Sequence, residues 1–340
     1  MSAVADNGAA AANSVPLLSA SELKVDFKLP GAKAPLRAVD GVSFEIGRRE
    51  IFGLIGESGS GKSTIARAIM QLTPVSSGEV VLGGMRLDRL RGRELRRQRQ
   101  RVQMVFQDPH DALDPRMTVR QAIEEPLRAG NRGSRADLDD RVTDLLHRVD
   151  LDDSYLDRKP HTMSGGQKQR VNIARALALE PELLVCDEAV SSLDVSVRAG
   201  IINLLADLQR DLDISVLFIS HDLGVVAHLA DRIGVLYLGR LAEIAPAGSL
   251  LARPRHPYTE ALLAAEPEPV PSTRRVSRPP VIAGEMPSAA SPPSGCRFRT
   301  RCRYVQELCG TQEPPLQRVD RDTLVACHFA DKLQLTGRRA

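Results

Sequence analysis

Three short, uninterrupted apolar runs punctuate the chain: Ile51-Phe52-Gly53-Leu54-Ile55, Leu183-Leu184-Val185-Cys186, and Val216-Leu217-Phe218-Ile219 within Ser215 to Ser220. Runs this short, with no polar alternation, suit strands covered on both faces. The first leads into a glycine-rich stretch, after which Thr64-Ile65-Ala66-Arg67-Ala68-Ile69-Met70 reads as a helix. Between 180 and 240 strand and helix patterns alternate, which predicts a parallel sheet layered with helices. Upstream, Leu23 to Val42 reads as paired strands around a loop from Pro30 to Pro35. From about Asp108 to Leu179 the pattern is mostly helical, with Pro109, Pro115, Pro126 and Pro160 as punctuation. Beyond Leu251 proline becomes dense through residues 267–293, as in an extended linker, and a small cysteine-bearing tail follows. No internal repeat is visible, so a single copy of this strand–loop–helix unit is expected.

Composition narrows the class. With 42% hydrophobic and 26% charged residues in 340, the chain has the make-up of a globular protein of one large domain with an appendage, or two domains. A formal charge of +3 implies no bulk polyanion partner. No run approaches the length of a membrane-spanning helix. Met1 to Ala20 carries Asp6 and lacks a basic start followed by an apolar core, so it is expected to be a disordered tail and not a signal peptide. The expected location is the cytoplasm, with any membrane association made through a partner. Aromatic residues make up only 3% and Trp is absent, which argues against stacking platforms for single-stranded nucleic acid. Eight arginines fall between Arg86 and Arg101; they read as a solvated helix, with anionic headgroups as neighbours, in preference to a nucleic-acid patch.

The candidate chemistry lies at the ends of the apolar runs. Gly56-Glu57-Ser58-Gly59-Ser60-Gly61-Lys62-Ser63 matches the phosphate-loop pattern and sits in the required strand–loop–helix context. Its backbone N–H groups at a helix N-terminus suit an anion; Lys62 adds a charge at the β- and γ-phosphates, Ser63 a hydroxyl for Mg²⁺, and Thr64 follows as a further nucleotide contact. Asp187 and Glu188 end the second run, on the edge of a parallel sheet where ligands bind. Asp187 is a candidate Mg²⁺ ligand opposite Ser63, and Glu188 a candidate general base for the attacking water. Ser164-Gly165-Gly166-Gln167 opens a helix and forms a second anion site.

Met163-Ser164-Gly165-Gly166-Gln167-Lys168-Gln169-Arg170 resembles the signature of ATP-binding cassette (ABC) proteins. Ser191-Ser192-Leu193-Asp194 resembles their D-loop, Ile219-Ser220-His221-Asp222 their switch histidine, and Gln107 their Q-loop. The resemblance covers roughly residues 21–250. It implies an α/β fold: a P-loop NTPase of the ABC type, with a mixed sheet core, a helical subdomain at about 108–179, and a cysteine-containing C-terminal extension over 251–340. It also implies ATP and Mg²⁺ as cofactors, and a γ-phosphate clamped by Ser164, Gly165, Gly166, Gln167 and Asp194 of one chain against the phosphate loop of another. His221 would contact the γ-phosphate, and Gln107 would reach Mg²⁺ and the water. The signature normally begins with Leu; Met163 is a volume-conserving replacement. The family stacks adenine on an aromatic residue, which the Pro30-to-Pro35 loop lacks; Phe27 precedes it. Weakened nucleotide affinity or base selectivity is the expectation.

A second layer of resemblance reaches nearly the whole chain. Phe106-Gln107-Asp108-Pro109, Glu188-Ala189-Val190-Ser191, His256-Pro257-Tyr258-Thr259 and Pro292-Pro293-Ser294-Gly295-Cys296 are similar to ATPases of oligopeptide, dipeptide and nickel importers. The branch implies a second, related ATPase as partner, two transmembrane permease subunits, an extracytoplasmic solute-binding protein, no nucleic acid, and a peripheral place on the cytoplasmic face of the membrane. A nickel or other small-solute importer is the alternative within the branch; a non-transport ABC ATPase of DNA repair or translation is the alternative outside it. Cys296, Cys302, Cys309 and Cys327 are too widely spaced for a zinc knuckle. Four cysteines suit zinc or an iron–sulfur cluster, with unliganded thiols as the other reading, and the branch implies a [4Fe–4S] cluster.

Overall fold

The computed structural model describes residues 15–28, 31, 35–108, 112–131, 135–265 and 284–338. Most of the proposed N-terminal tail, most of the Pro30-to-Pro35 loop, and 266–283 of the proline-rich stretch lie outside these residues. Within them, β1 (Leu18–Phe27) and β2 (Leu36–Ile46) form the expected antiparallel pair. The strand begins before Ala20, a correction to the assigned tail: Leu17, Leu18 and Ala20 are buried, so this stretch has core to cover.

β3 (Ile51–Ile55) feeds the glycine loop and α1 (Lys62–Ile69). β4 (Ser77–Leu82) and β5 (Met85–Arg86) complete a four-stranded sheet in the order β2-β1-β4-β5. Next come α2 (Gly92–Arg99) and β6 (Val102–Val105). Helices α3 (Val119–Ala129), α4 (Arg135–Arg148) and α5 (Gly165–Leu177) follow. Then β7 (Leu183–Asp187), α6 (Val195–Asp211), β8 (Ser215–Ser220), α7 (Leu223–Leu229) and β9 (Arg232–Tyr237) alternate as expected. β10 (Arg240–Pro246), α8 (Ala247–Ala252), α9 (Pro257–Ala265), α10 (Glu307–Thr311), β11 (Gln317–Asp320) and β12 (Thr323–Val325) end the chain.

The main sheet runs β11-β12-β10-β9-β3-β8-β7-β6, with β9, β3, β8, β7 and β6 parallel and β10 to β12 antiparallel. It divides two apolar cores, and period-two alternation assigns side chains to each. Ile51, Ile55, Leu184, Cys186, Val216 and Phe218 face the core under the helices. Phe52, Leu54, Leu183, Val185, Leu217 and Ile219 face the core shared with the small sheet and α1. The apolar runs therefore lack polar alternation because both of their faces are covered. A side chain at Gly53 would overlap Val226, so glycine there lets α7 lie close on β3.

The cysteine-bearing extension is integrated with the rest of the fold. β12 pairs with β10 and so lengthens the main sheet, and Tyr258 and Phe298 are buried in the helix-side core. It needs no core of its own because it borrows one. Glu243 anchors the start: its buried carboxylate accepts from Arg255 N and His256 N at 2.9 Å each and from Thr259 Oγ1 at 2.6 Å. Burial pushes that carboxyl up to about 7 against these donors.

The arginines between Arg86 and Arg101 serve the fold more than the sequence suggested. Arg86 pairs with Asp88 at 2.7 Å, Arg99 donates to the carbonyls of Met70 and Gln71, and Arg101 bonds Glu182 at 2.5 Å.

Candidate active site

The phosphate loop depends on backbone freedom. Gly59 and Gly61 take φ of 78° and 108°, and a Cβ at Gly61 would collide with the Ala38 carbonyl. Gly56 is packed so closely on the Leu236 carbonyl that a side chain there would overlap it. The loop is also tied to the β9–β10 turn, where Gly239 N donates to Ser60 O at 2.8 Å. Lys62 is buried, and its Nζ donates to the carbonyls of Gly56 at 2.8 Å and Glu57 at 3.1 Å, so the side chain folds back over the loop. Burial lowers its pKa, opposed by the charges of Glu188, Asp187 and Glu57.

Across the loop, Ser63 Oγ donates to Asp187 Oδ1 at 2.9 Å. Burial raises the Asp187 carboxyl, opposed by that hydrogen bond. A hydroxyl and a carboxylate meeting at one point suit a hard, oxygen-seeking cation such as Mg²⁺. Ser60 Oγ is buried without a hydrogen-bond partner beneath the same loop. Ser58 is exposed; Gly61, Ser63 and Thr64 are partly exposed at the start of α1.

Glu188 follows β7 with φ of 48°, in the left-handed region, and its N–H donates to Ile219 O at 3.0 Å. A non-glycine residue there costs of order 1 kcal/mol or more, and functional sites are where such strain collects. Its Oε2 accepts from Gln107 Nε2 at 3.2 Å and lies 3.6 Å from His221 Nδ1. Gln107 and His221 are exposed, whereas the Glu188 side chain is 17% exposed. Gln107, Glu188 and His221 thus form one cluster, next in sequence to the Ser63–Asp187 pair. The Gln107 amide nitrogen is turned to Glu188.

The signature segment is built separately. Ser164 caps α5 in a reciprocal box: its Oγ accepts from Gln167 N at 3.3 Å, and Gln167 Oε1 accepts from Ser164 N at 3.0 Å. Gln167 Nε2 also donates to Tyr155 OH at 2.8 Å, a support that sequence reasoning did not find. A side chain at Gly166 would overlap Val197, so this glycine brings α5 against the start of α6. Asp194 caps α6, accepting from Val197 N at 3.0 Å and Ser196 Oγ at 2.8 Å; these bonds hold its pKa low. Ser164 and Gly165 remain at least partly exposed at the helix end. These contacts link the segment to Tyr155 and α6, not to the phosphate loop of the same chain.

Phe27, expected to stand too early to serve adenine, ends β1 opposite Leu36 and is 39% exposed. Two residues on, Ala38 O abuts Gly61, so this end of the hairpin lies on the phosphate-loop side of the molecule.

Sequence comparison agrees with this architecture. Residues 39–191 match the ABC transporter family, and residues 242–309 match the oligopeptide/dipeptide transporter C-terminal region. A peptide import ATP-binding protein of Brucella ovis is 46% identical over 312 residues, covering 92% of this chain and 97% of its own. The chain belongs to the ABC transporter family of ATP-binding proteins. The oligopeptide transport ATP-binding protein YkfD of Bacillus subtilis is likewise 46% identical, over 93% of this chain and 96% of its own. Among solved structures, the ATP-binding cassette MJ0796, a dimer bound to ADP and Pi, superposes with a TM-score of 0.62. It is 29% identical, covering 68% of this chain and 98% of that one. As a family member, the chain is an ATPase. Among the described residues no helix is long and apolar enough to cross a membrane.

Proposed function

We propose that this ATPase energises peptide import as the peripheral subunit of a transporter on the cytoplasmic face of the membrane. The observation that carries the reading is the union, in one chain, of the Glu188 cluster with a C-terminal region of the oligopeptide/dipeptide transporter type. The partners are a second, related ATPase subunit, two transmembrane permeases and an extracytoplasmic solute-binding protein. Each nucleotide sits between the phosphate loop of one subunit and Ser164-Gly165-Gly166-Gln167 of the other, with Asp194 beside it. Ser63, Asp187 and Gln107 would hold Mg²⁺, which would neutralise phosphate charge; Lys62 and the loop amides would hold the phosphates, His221 would contact the γ-phosphate, and Glu188 would accept the proton of the attacking water, towards which Gln107 also reaches. Solubilised membranes should yield permease subunits with this chain, and peptide-loaded binding protein should raise ATP turnover of the reconstituted complex. Recovery of ribosomes or DNA without permeases would assign the protein to a different class, and stimulation by nickel alone would reassign the cargo.

We further propose that Cys296, Cys302, Cys309 and Cys327 carry a [4Fe–4S] cluster. All four line one cavity of roughly 20 Å³, and burial, reinforced by the neighbouring thiols, pushes Cys296 up to about 12 and Cys302 up to about 11. Burial keeps these thiols protonated, so a bound cation would have to displace their protons. Among the described residues, no three His, Cys, Asp or Glu side chains are grouped as a single metal ion requires. When bound, the cluster would supply a covalent clip across the extension. Purified protein should be brown, with broad absorbance near ~400 nm and stoichiometric iron and sulfide; neither element being present removes the cluster.

A further inference from the structure

Glu57 places a carboxylate inside the loop that has to receive a triphosphate. Left uncompensated, it would repel the phosphates and compete with them for Lys62, whose ionisation already feels Glu57. The compensation comes from 244 residues further along the chain. Arg301 Nη1 donates to Glu57 Oε1 at 3.0 Å and Oε2 at 3.1 Å, with the arginine side chain only 6% exposed. Tyr258, fully buried, accepts from Glu57 N at 2.9 Å through its hydroxyl, which fixes the loop as it leaves β3. Arg301 also lies over the Tyr237 ring, 5.9 Å from its centre, and Tyr237 packs edge-on against Tyr258 and Phe298.

The other end of the loop is braced from the same segment. Arg297 bonds the buried Asp40 and the Leu238 carbonyl, and the adjoining Gly239 holds Ser60 O. Residues 296–302 thus press on the loop at Glu57 and, through the β9–β10 turn, at Ser60.

We propose that Arg301 and Tyr258 are positioning residues for nucleotide binding: they neutralise and aim Glu57, and through them the C-terminal extension sets the affinity for ATP. The proposal rests on ATP binding alone and not on the cargo, so the absence of permeases from a purification would leave it intact.

The test is a double-mutant cycle on the full-length protein, read by titration of a fluorescent ATP analogue with Mg²⁺ and by thermal melting. Arg301→Gln should weaken binding about tenfold, the scale of one lost charge-assisted contact. Glu57→Gln in the Arg301→Gln background should then recover most of that loss, because the charge needing compensation has gone. A purely structural role for Arg301 would leave the double variant as weak as the single. Should Arg301→Gln fail to fold, Tyr258→Phe keeps the ring packing, removes only the acceptor for Glu57 N, and should weaken binding about threefold at an unchanged melting temperature. Wild-type affinity in every folded variant, or no recovery in the double variant, overturns the proposal.

Discussion

Glu188→Gln should lower ATP turnover by about 10²- to 10⁴-fold, the range that a positioned general base contributes, while leaving ATP bound. The substitution is nearly isosteric. Gln can still accept the Gln107 amide through its carbonyl oxygen, so the hydrogen bond of 3.2 Å has a replacement. It can also hold the same left-handed backbone, since the N–H bond to Ile219 O does not involve the side chain. What disappears is basicity at the point where water would be deprotonated. Nucleotide binding should persist because Lys62, Ser63, Asp187 and the loop glycines are untouched. Single-turnover hydrolysis measured beside nucleotide retention on a filter separates the two effects. Turnover within threefold of the parent would remove Glu188 as the base, and loss of binding would show that it holds the loop together instead.

The catalytic half of this molecule was legible because it is local. The glycine loop, the apolar strand ending in Asp187-Glu188 and the strand ending before His221 each announce themselves within a few residues. The sheet then sets β3, β8 and β7 side by side, with β7 and β8 joined through α6 and β3 reaching β8 from far away in the sequence. Even the two-sided burial of those strands followed from their lack of alternation. The strain at Glu188 was not legible, since no local pattern demands a positive φ for glutamate.

The extension hid its role for the opposite reason. Its partnerships span the chain: Arg301 with Glu57, Arg297 with Asp40, and β12 with β10. Pairings at such separation leave no periodicity, and β12 has only three residues. One signal was available. The stretch Cys296-Arg297-Phe298-Arg299-Thr300-Arg301-Cys302 concentrates three arginines, and the phosphate loop holds an acidic residue where an anion must bind. Charge complementarity between the two was readable without coordinates, though its geometry was not.

Gly165→Asp should suppress hydrolysis by more than about 100-fold while leaving binding of nucleotide to the isolated chain within about twofold, a separation that the two-chain reading requires. As a change to the fold the substitution is mild. Gly165 is the first residue of α5, its φ is not in the left-handed region, and a Cβ there meets only Leu193 Cδ2 at 3.4 Å. An acidic residue in the first turn of a helix is favourable by roughly 0.3–1 kcal/mol, so α5 and its Ser164–Gln167 box should hold. The same charge is ruinous if this helix end must meet a γ-phosphate, because it turns an anion site into an anion repeller. The phosphate loop of the same chain should not notice it, since the contacts of the signature segment run to Tyr155 and α6. Equilibrium binding, ATP-dependent association by light scattering and steady-state hydrolysis together decide the matter. Retained binding with lost association and turnover is the expected set. Full turnover would mean that the Ser164 end of α5 never faces phosphate, and equal loss of binding in the isolated chain would place both half-sites within one polypeptide.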